Sequence, residues 1–344
     1  MNISAFPSLD EASYCFPSVN RSCIRNSLPT TVTAVLYTLL VGIIITVICG
    51  NLLVIISVSH FKELHTPTNF LTLSLAVTDF LVGLLVLPFS MVRTVEACWY
   101  FGNTFCKIHS AFDMAFTTVS IFHLCAIAVD RYYTICDPLH YSLKITLSAI
   151  TIFLFVCWML PICLTYFLVF FGQNVDEMFL ASVYCEGLCI STADKTWALI
   201  IPVVNYFLPA SAMICIYLKI FIVARKHAKI INGIVNKVSS VKKHVKQIKA
   251  SEQKATKTLI LIMGIFLFCW LPVIIVILLT FYFNIFIPSF ILEALSWLAY
   301  FNSGCNPIVY GFFYPWFQLT FKMVLNGKIF TAASSTFSLS SENH

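Results

Sequence analysis

The chain has 344 residues, of which 59% are hydrophobic and only 10% are charged. Soluble domains carry about 25% charged residues, so this composition excludes a protein whose main solvent is water. The formal net charge of +6 is concentrated in one connection between apolar segments. This distribution fits anionic lipid or an acidic protein partner and does not indicate a nucleic-acid partner.

Seven apolar segments are long enough to cross a bilayer, which takes about 17 to 25 residues each. They lie near residues 34–58, 68–92, 104–136, 146–171, 196–224, 256–281 and 287–313. We therefore predict an all-α membrane protein built as a seven-transmembrane helix bundle. Residues 314–322 add a short amphipathic interfacial helix with its aromatic residues facing lipid. The domain plan is an extracellular segment 1–33, the bundle 34–314, and the interfacial helix with a cytoplasmic tail 315–344.

The orientation follows from the lysine and arginine residues that crowd between spans five and six, because basic loops are retained in the cytoplasm. Acidic residues gather on the other side, and the N-terminus is therefore expected outside. Two sequons lie in that N-terminal segment and predict glycosylation at Asn2 and Asn20.

Six cysteines fall on the predicted external side, where disulfides persist. Six thiols allow fifteen pairings, and spacing alone does not choose among them. The six are Cys15, Cys23, Cys98, Cys106, Cys185 and Cys189.

Prolines interrupt five of the seven spans, and each removes a backbone hydrogen bond and favours a kink. Kinked helices open a cavity near mid-membrane. These prolines are Pro88, Pro161, Pro209, Pro272 and Pro307.

A buried acid, Asp79, lies in the middle of span two, where an uncompensated charge is costly. Amide and hydroxyl side chains in spans one, three and seven lie at depths that allow them to join it. This cluster either holds water or a sodium ion, since oxygen ligands suit a hard cation, or is a structural hydrogen-bond network. Its members are Asn51, Asp79, Ser120, Asn302, Ser303 and Asn306.

A second acid, Asp113, lies in the outer half of span three, and no basic residue within a span matches its depth. A cation arriving from outside would satisfy it; the alternative is a carboxyl group that is protonated or bonded to hydroxyls such as Thr117. Trp270, Trp297 and Tyr300 supply aromatic rings for an alkylammonium group. We therefore predict an amine site.

At the inner end of span three, the sequence Asp130-Arg131-Tyr132 places a guanidinium beside a carboxylate. The pair is either a lock that frees Arg131 for an intracellular partner or a static interfacial ion pair.

Five motifs, taken together, resemble the rhodopsin-like, class A G-protein-coupled receptors. They are Gly50-Asn51, residues 75–79, Asp130-Arg131-Tyr132, residues 266–272 and residues 306–310. The resemblance implies that Trp270 senses the ligand while Arg131 and Tyr310 rearrange to admit a G protein. The residues it assigns to this activation switch are Asp130, Arg131, Tyr132, Phe266, Asn306, Pro307 and Tyr310.

A narrower resemblance, carried by residues 302–317, 67–70, 120–125 and 14–23, is to the trace amine-associated receptors. It implies a small volatile or trace amine as ligand, a stimulatory G protein that raises cyclic AMP, arrestin as a further partner, and an olfactory role at the plasma membrane. It also implies the disulfides Cys106–Cys189 and Cys23–Cys185. The expected ligand contacts are Asp113, Met114, Thr117, Trp270, Val273, Ile274, Trp297 and Tyr300.

Departures from the sequence patterns of amine receptors reduce the range of ligands that we expect. Span five carries Ile201 to Asn205 where catecholamine receptors have serines, so catecholamines are not expected. Ile201 also stands where some diamine receptors of the family place a second acid. Glu293, near the outer mouth of span seven, is either a substitute for that acid or a solvated residue. The aliphatic pair Val273 and Ile274 favours an aliphatic or small aromatic monoamine.

Competing hypotheses are a neurotransmitter-type amine receptor and, from a different class, an amine transporter or channel. Isolated acids without a continuous path, and the lack of inverted repeats, count against transport. The spans show neither a nucleophile with a base nor a metal-ligand cluster, so an enzyme is not expected. The sequence calls for no cofactor, apart from sodium at Asp79.

Overall fold

The computed structural model describes residues 14–26, 28–171, 185–189, 195–235, 242–313 and 315–327. Asn2 and most of the C-terminal tail lie outside these residues. Eight helices dominate the described chain, because backbone polar groups in lipid must find partners within their own segment. They are α1 (Thr30–His60), α2 (Pro67–Glu96), α3 (Asn103–Cys136), α4 (Leu147–Phe171), α5 (Lys195–Pro202 continued by Leu208–Val235), α6 (Lys242–Tyr282), α7 (Ser289–Phe313) and α8 (Pro315–Leu325).

The all-α architecture is confirmed, and each of the seven predicted spans is present as a helix. Six of the described helices, α1 to α6, are long and apolar enough to cross a membrane on composition alone. Helix α7 has 25 residues and a more polar sequence, but it packs against α6 and α1 and buries Asn302, Ser303 and Asn306 inside the bundle. Its polar residues therefore face protein.

Two helices widen by one π turn shortly before a proline. In α2 the π turn is Val82–Val86, two residues before Pro88; in α5 it is Val203–Phe207, two residues before Pro209. A proline ring clashes with the carbonyl group one turn earlier, and a wider turn relieves that clash. At the end of the π turn in α2, the carbonyl oxygen of Val86 faces the buried His109, whose Nε2 lies 3.1 Å from it.

One end of the bundle, called the disulfide end below, carries three disulfides. Both pairings implied by the resemblance, Cys106–Cys189 and Cys23–Cys185, are present. The third disulfide joins Cys15 to Cys98. Residues 14–26 are thereby attached both to the connection after α2 and to residues 185–189.

Helix α8 is present, and the expectation that its aromatic residues face lipid is wrong for Phe317. Phe317 is buried and packs with Val54, Val58 and Tyr310, whereas Phe321 is partly exposed. The ring centroid of Phe317 lies 6.4 Å from that of Tyr310. The helix is therefore held against the end of α7 by an aromatic side chain that enters the bundle.

Helices α1 and α7 approach closely at Gly50, because a Cβ atom there would lie 3.0 Å from Cβ of Pro307. The proline ring is rigid and cannot move aside. We expect Gly50→Val to destabilise the protein by about 1 to 3 kcal/mol through overpacking, seen as a lower melting temperature in detergent.

Gly264→Val on α6 is the matched control, because a Cβ there meets no atom within 4 Å. Equal melting temperatures of the two variants would contradict the close packing of α1 on α7.

Candidate functional site

A cavity of about 350 Å³ lies among α2, α3, α5, α6 and α7, in the half of the bundle near the disulfide end. This size is at the lower end of small-molecule sites. Seven of the eight expected ligand contacts line it: Asp113, Met114, Thr117, Trp270, Val273, Ile274 and Tyr300. The rest of the wall is mainly apolar and includes Ile121, Ile201, Pro202, Ile277 and Phe281.

The half-buried carboxylate of Asp113 is held by hydroxyl groups. Tyr300 donates a hydrogen bond of 2.6 Å to Oδ2, and Thr117 donates a longer one of 3.5 Å to Oδ1. No lysine or arginine forms an ion pair with Asp113 among the described residues. The hydroxyl partners that the sequence considered are thus present, and the negative charge still lacks a directly paired cation.

The expected place of Trp297 in an aromatic cage is wrong. Its indole packs with Val86, Leu87 and Tyr300, is 5% exposed, and does not line the cavity. Its Nε1 donates a 3.0 Å hydrogen bond to the hydroxyl group of Thr94. Tyr300 and Trp297 are only three residues apart on α7, but the two rings meet edge to face, so that only Tyr300 reaches the cavity.

A basic residue does lie at the level of the cavity, contrary to the expectation from the sequence. Arg93 lines it from the last turn of α2, and its charge is close enough to interact with Asp113 and Tyr300. Its Nε lies 3.5 Å from Oε1 of Glu293, whose Oε2 accepts a 2.5 Å hydrogen bond from Thr94. Glu293 is therefore not merely a solvated acid. The predicted span two ends at residue 92, one residue before Arg93, so Arg93 was not expected at the cavity.

The polar cluster around Asp79 is present. Oδ1 accepts hydrogen bonds from Ser120 (2.9 Å) and Ser303 (2.8 Å), and Oδ2 accepts one from Asn306 (2.8 Å). Asn51 joins indirectly, because its amide donates to the carbonyl oxygen of Ser303 at 3.0 Å. Asn302 is buried, but the structure shows no hydrogen bond between it and Asp79. The cluster links α1, α2, α3 and α7.

At the end of the bundle opposite the disulfides, Asp130 has three partners. Thr68 donates to its Oδ2 at 2.8 Å, Tyr141 donates to its Oδ1 at 3.0 Å, and Nε of Arg131 lies 3.6 Å from Oδ2. Tyr141 belongs to the short helix Tyr141–Lys144 outside the spans. Burial raises the pKa of Tyr141, so the phenol keeps the proton that it donates.

Comparisons with known proteins agree with this geometry. Residues 50–310 match the family model of the 7 transmembrane receptor (rhodopsin family). The chain is 45% identical to trace amine-associated receptor 4 of Rattus norvegicus, over 96% of each protein, and 44% identical to receptor 2 of the same species over the same shares. It is 42% identical to human trace amine-associated receptor 1, over 94% of this chain and 96% of that one.

The chain belongs to the trace amine-associated receptors of the rhodopsin family. It is therefore a multi-pass membrane receptor that takes a small-molecule ligand and couples to a G protein, and it is not an enzyme. The seven predicted spans are those of this family.

The residues that the resemblance assigns to the activation switch lie between the cavity and the end of the bundle opposite the disulfides. Trp270 lines the cavity, and Phe266, one turn further along α6, is 1% exposed and stacks on Tyr206 with ring centroids 5.6 Å apart. Tyr310 is buried near α8, and Pro307 packs on Gly50. Tyr132 is partly buried against the core and packs edge to face on Tyr133, next to Arg131.

Removal of one partner of Asp130 tests whether the contacts of this carboxylate with Thr68, Tyr141 and Arg131 restrain the receptor in its inactive state. We expect Tyr141→Phe to raise basal signalling several-fold, because a hydrogen bond to a charged group contributes about 1.5 to 3 kcal/mol. Basal G-protein activation, normalised to the amount of receptor at the cell surface, is the measurement.

Tyr133→Phe is the control, since that ring contacts the Lys144 ammonium group through its face, at 4.9 Å, and keeps this contact. Equal basal signals from both variants would show that the Tyr141 hydroxyl does not restrain the receptor.

Proposed function

We propose that this receptor is activated by small volatile or trace amines, and that the ligand ammonium group binds Asp113. The carrying observation is the position of Asp113: a carboxylate without a directly paired cation, open to a small and mainly apolar cavity. A primary monoamine with an aliphatic or small aromatic body matches both properties. The apolar wall formed by Val273 and Ile274 would receive the body.

The energetics favour a cation at this position. A charge-assisted hydrogen bond between an ammonium group and Asp113 contributes about 1.5 to 3 kcal/mol. The ring of Trp270, and the face of Tyr300, add a cation–π attraction of about 0.5 to 2 kcal/mol each when the ammonium group lies over them. Tyr300 also keeps its hydroxyl on Asp113, which holds the carboxylate in one orientation before the ligand arrives.

Transmission would run from Trp270 through Phe266 and Tyr310 to Arg131. The first two lie one turn apart on α6, and Asp130 holds Arg131 at the far end of α3. In this proposal the transducer is a stimulatory G protein that raises cyclic AMP, arrestin binds afterwards, and the receptor serves olfaction. Membership in the family is the support for these three assignments.

The same proposal places the disulfide end and the N-terminus outside the cell at the plasma membrane. Disulfides persist in oxidising compartments, and the sequon residue Asn20 is exposed beside the disulfide Cys23–Cys185. The basic residues between α5 and α6 fall on the opposite side, as the positive-inside rule requires.

Sodium at Asp79 remains a prediction. The hydroxyl oxygens of Ser120 and Ser303 already point at the carboxylate and are ligands that a hard cation accepts. A cation there would stabilise the cluster with the Asp79 charge in place.

The neurotransmitter-type amine receptor and the amine transporter or channel remain competing hypotheses. A ligand panel separates the first from our proposal, because it includes neurotransmitter amines beside simple alkylamines. Amine-evoked current or uptake in cells without functional G proteins would support the second.

The decisive experiment measures cyclic AMP in cells that express this receptor and are exposed to primary, secondary and tertiary amines. We expect Asp113→Asn, which keeps the shape and removes the charge, to lower amine potency about tenfold to a hundredfold. Thr117→Val is the control and should change potency far less, because its bond to Asp113 is long at 3.5 Å.

Undiminished amine responses in Asp113→Asn would overturn the anchoring role. Silence of the wild-type receptor across the panel, with normal surface expression, would contradict an amine ligand acting through cyclic AMP.

A further inference from the structure

A second carboxylate, which the proposed function does not use, lies next to the cavity: Glu293 does not line it but pairs with Arg93, which does. Glu293 lies on α7 seven residues before Tyr300, which is two helical turns or about 10 Å nearer to the disulfide end. Tyr300 marks the depth of Asp113 through their 2.6 Å hydrogen bond. The two carboxylates thus lie at different depths, Asp113 inside the cavity and Glu293 beside its mouth.

Two side chains from the last turn of α2 contact the carboxylate of Glu293. Arg93 faces its Oε1 at 3.5 Å, and Thr94 donates to its Oε2 at 2.5 Å. Thr94 is itself held, because its hydroxyl oxygen accepts the indole N–H of Trp297 at 3.0 Å. Trp297 is therefore a positioning residue for this pair, which explains why its side chain turns away from the cavity.

Among the residues that the structure describes, the charges at the site add up to one negative charge. Asp113 and Glu293 carry two negative charges and Arg93 carries one positive charge, and within that part of the chain these are the charged residues that line the cavity or pair with its lining. A ligand with one ammonium group restores neutrality. A ligand with two would leave an excess positive charge next to Arg93, in a site where water screens little.

We propose that Arg93 determines ligand specificity: by occupying Glu293 it makes this receptor a monoamine receptor and excludes diamines. The inference rests on the proposed function, because it assumes that an ammonium group binds Asp113. Arg93 acts here as a built-in second ammonium group. A diamine of about five carbons, with a hydrogen bond at each end, is long enough for the difference of about 10 Å in depth between the two carboxylates, and it must displace Arg93 to bind both.

A variant in which Arg93 loses its positive charge tests the proposal. We expect Arg93→Gln to raise the potency of 1,5-diaminopentane, relative to 1-aminopentane, by about tenfold or more, which corresponds to about 1.4 kcal/mol. Arg93→Lys keeps the charge and should stay selective for the monoamine. The double variant Arg93→Gln with Glu293→Gln should lose the gained diamine response.

A second experiment uses a different variant and therefore does not depend on whether Arg93→Gln folds. Glu293→Gln leaves Arg93 without its counter-ion beside the cavity, so we expect monoamine potency to fall about tenfold through repulsion of the ammonium group. Surface expression is measured for each variant, and potencies are compared as ratios between the two ligands, which a purely structural defect would not change.

The outcomes separate this inference from the proposed function. A wild-type receptor that responds to 1-aminopentane, together with an unchanged ligand ratio in Arg93→Gln, overturns the specificity role and leaves the amine receptor intact. If Arg93→Gln does not reach the surface, an unchanged monoamine potency in Glu293→Gln overturns it. If the wild-type receptor answers no monoamine, the proposed function fails, and a diamine response of Arg93→Gln alone then decides the role of Arg93.

Discussion

A carboxylate inside a bilayer needs a partner, and this constraint organises the bundle. Asp79 accepts three hydrogen bonds from neutral side chains, Asp130 pairs with Arg131 and two hydroxyl groups, and Glu293 pairs with Arg93 and Thr94. Asp113 differs, because its partners are hydroxyl groups alone and its side opens to a cavity. Three of these acids are held by protein groups, and in the proposed function the fourth, Asp113, also binds the ligand.

The scaffold places that fourth acid precisely. Helix α3 is tied at one end by Cys106–Cys189 and at the other by the contacts of Asp130 with α2 and the short helix after it. π turns before Pro88 and Pro209 let α2 and α5 bend while their backbone bonds remain satisfied. The cavity is thus built around a helix, α3, that is held at both ends, and Asp113 lies between these two attachments.

Much of the fold and of the site could be predicted from the sequence, because lipid imposes simple rules. Long apolar runs must be helices, and rare ionisable residues within them must be paired or functional. Asp79, Asp113 and Asp130 were found in this way.

The features that could not be predicted depended on the direction in which a helix turns its side chains, or on the residue at which a helix ends. Trp297 and Tyr300 are three residues apart and looked equivalent, but the bond of Trp297 to Thr94 turns it away from the cavity. Arg93 lies in the last turn of α2, which continues past the apolar run to Glu96. Phe317 looked lipid-facing because a pattern does not reveal the pocket beside Tyr310. The Cys15–Cys98 pairing needed three-dimensional proximity, which sequence spacing does not contain.

The distance from Asp113 to Arg131 shows why a small ligand needs the rest of the bundle to signal. The two residues are 18 positions apart on α3, about 27 Å, and a small amine cannot contact both. A ligand shifts a conformational equilibrium only by the difference between its affinities for the two states. An ammonium group on Asp113 supplies a few kcal/mol at most, so the contacts that hold Asp130 must be of similar strength for binding to release them. The hydroxyl groups of Thr68 and Tyr141 hold Asp130, whereas Arg131 itself is held by one ion pair, with its Nε 3.6 Å from Oδ2 of Asp130. In the proposed function, an amine therefore has to break only this one long contact to release Arg131.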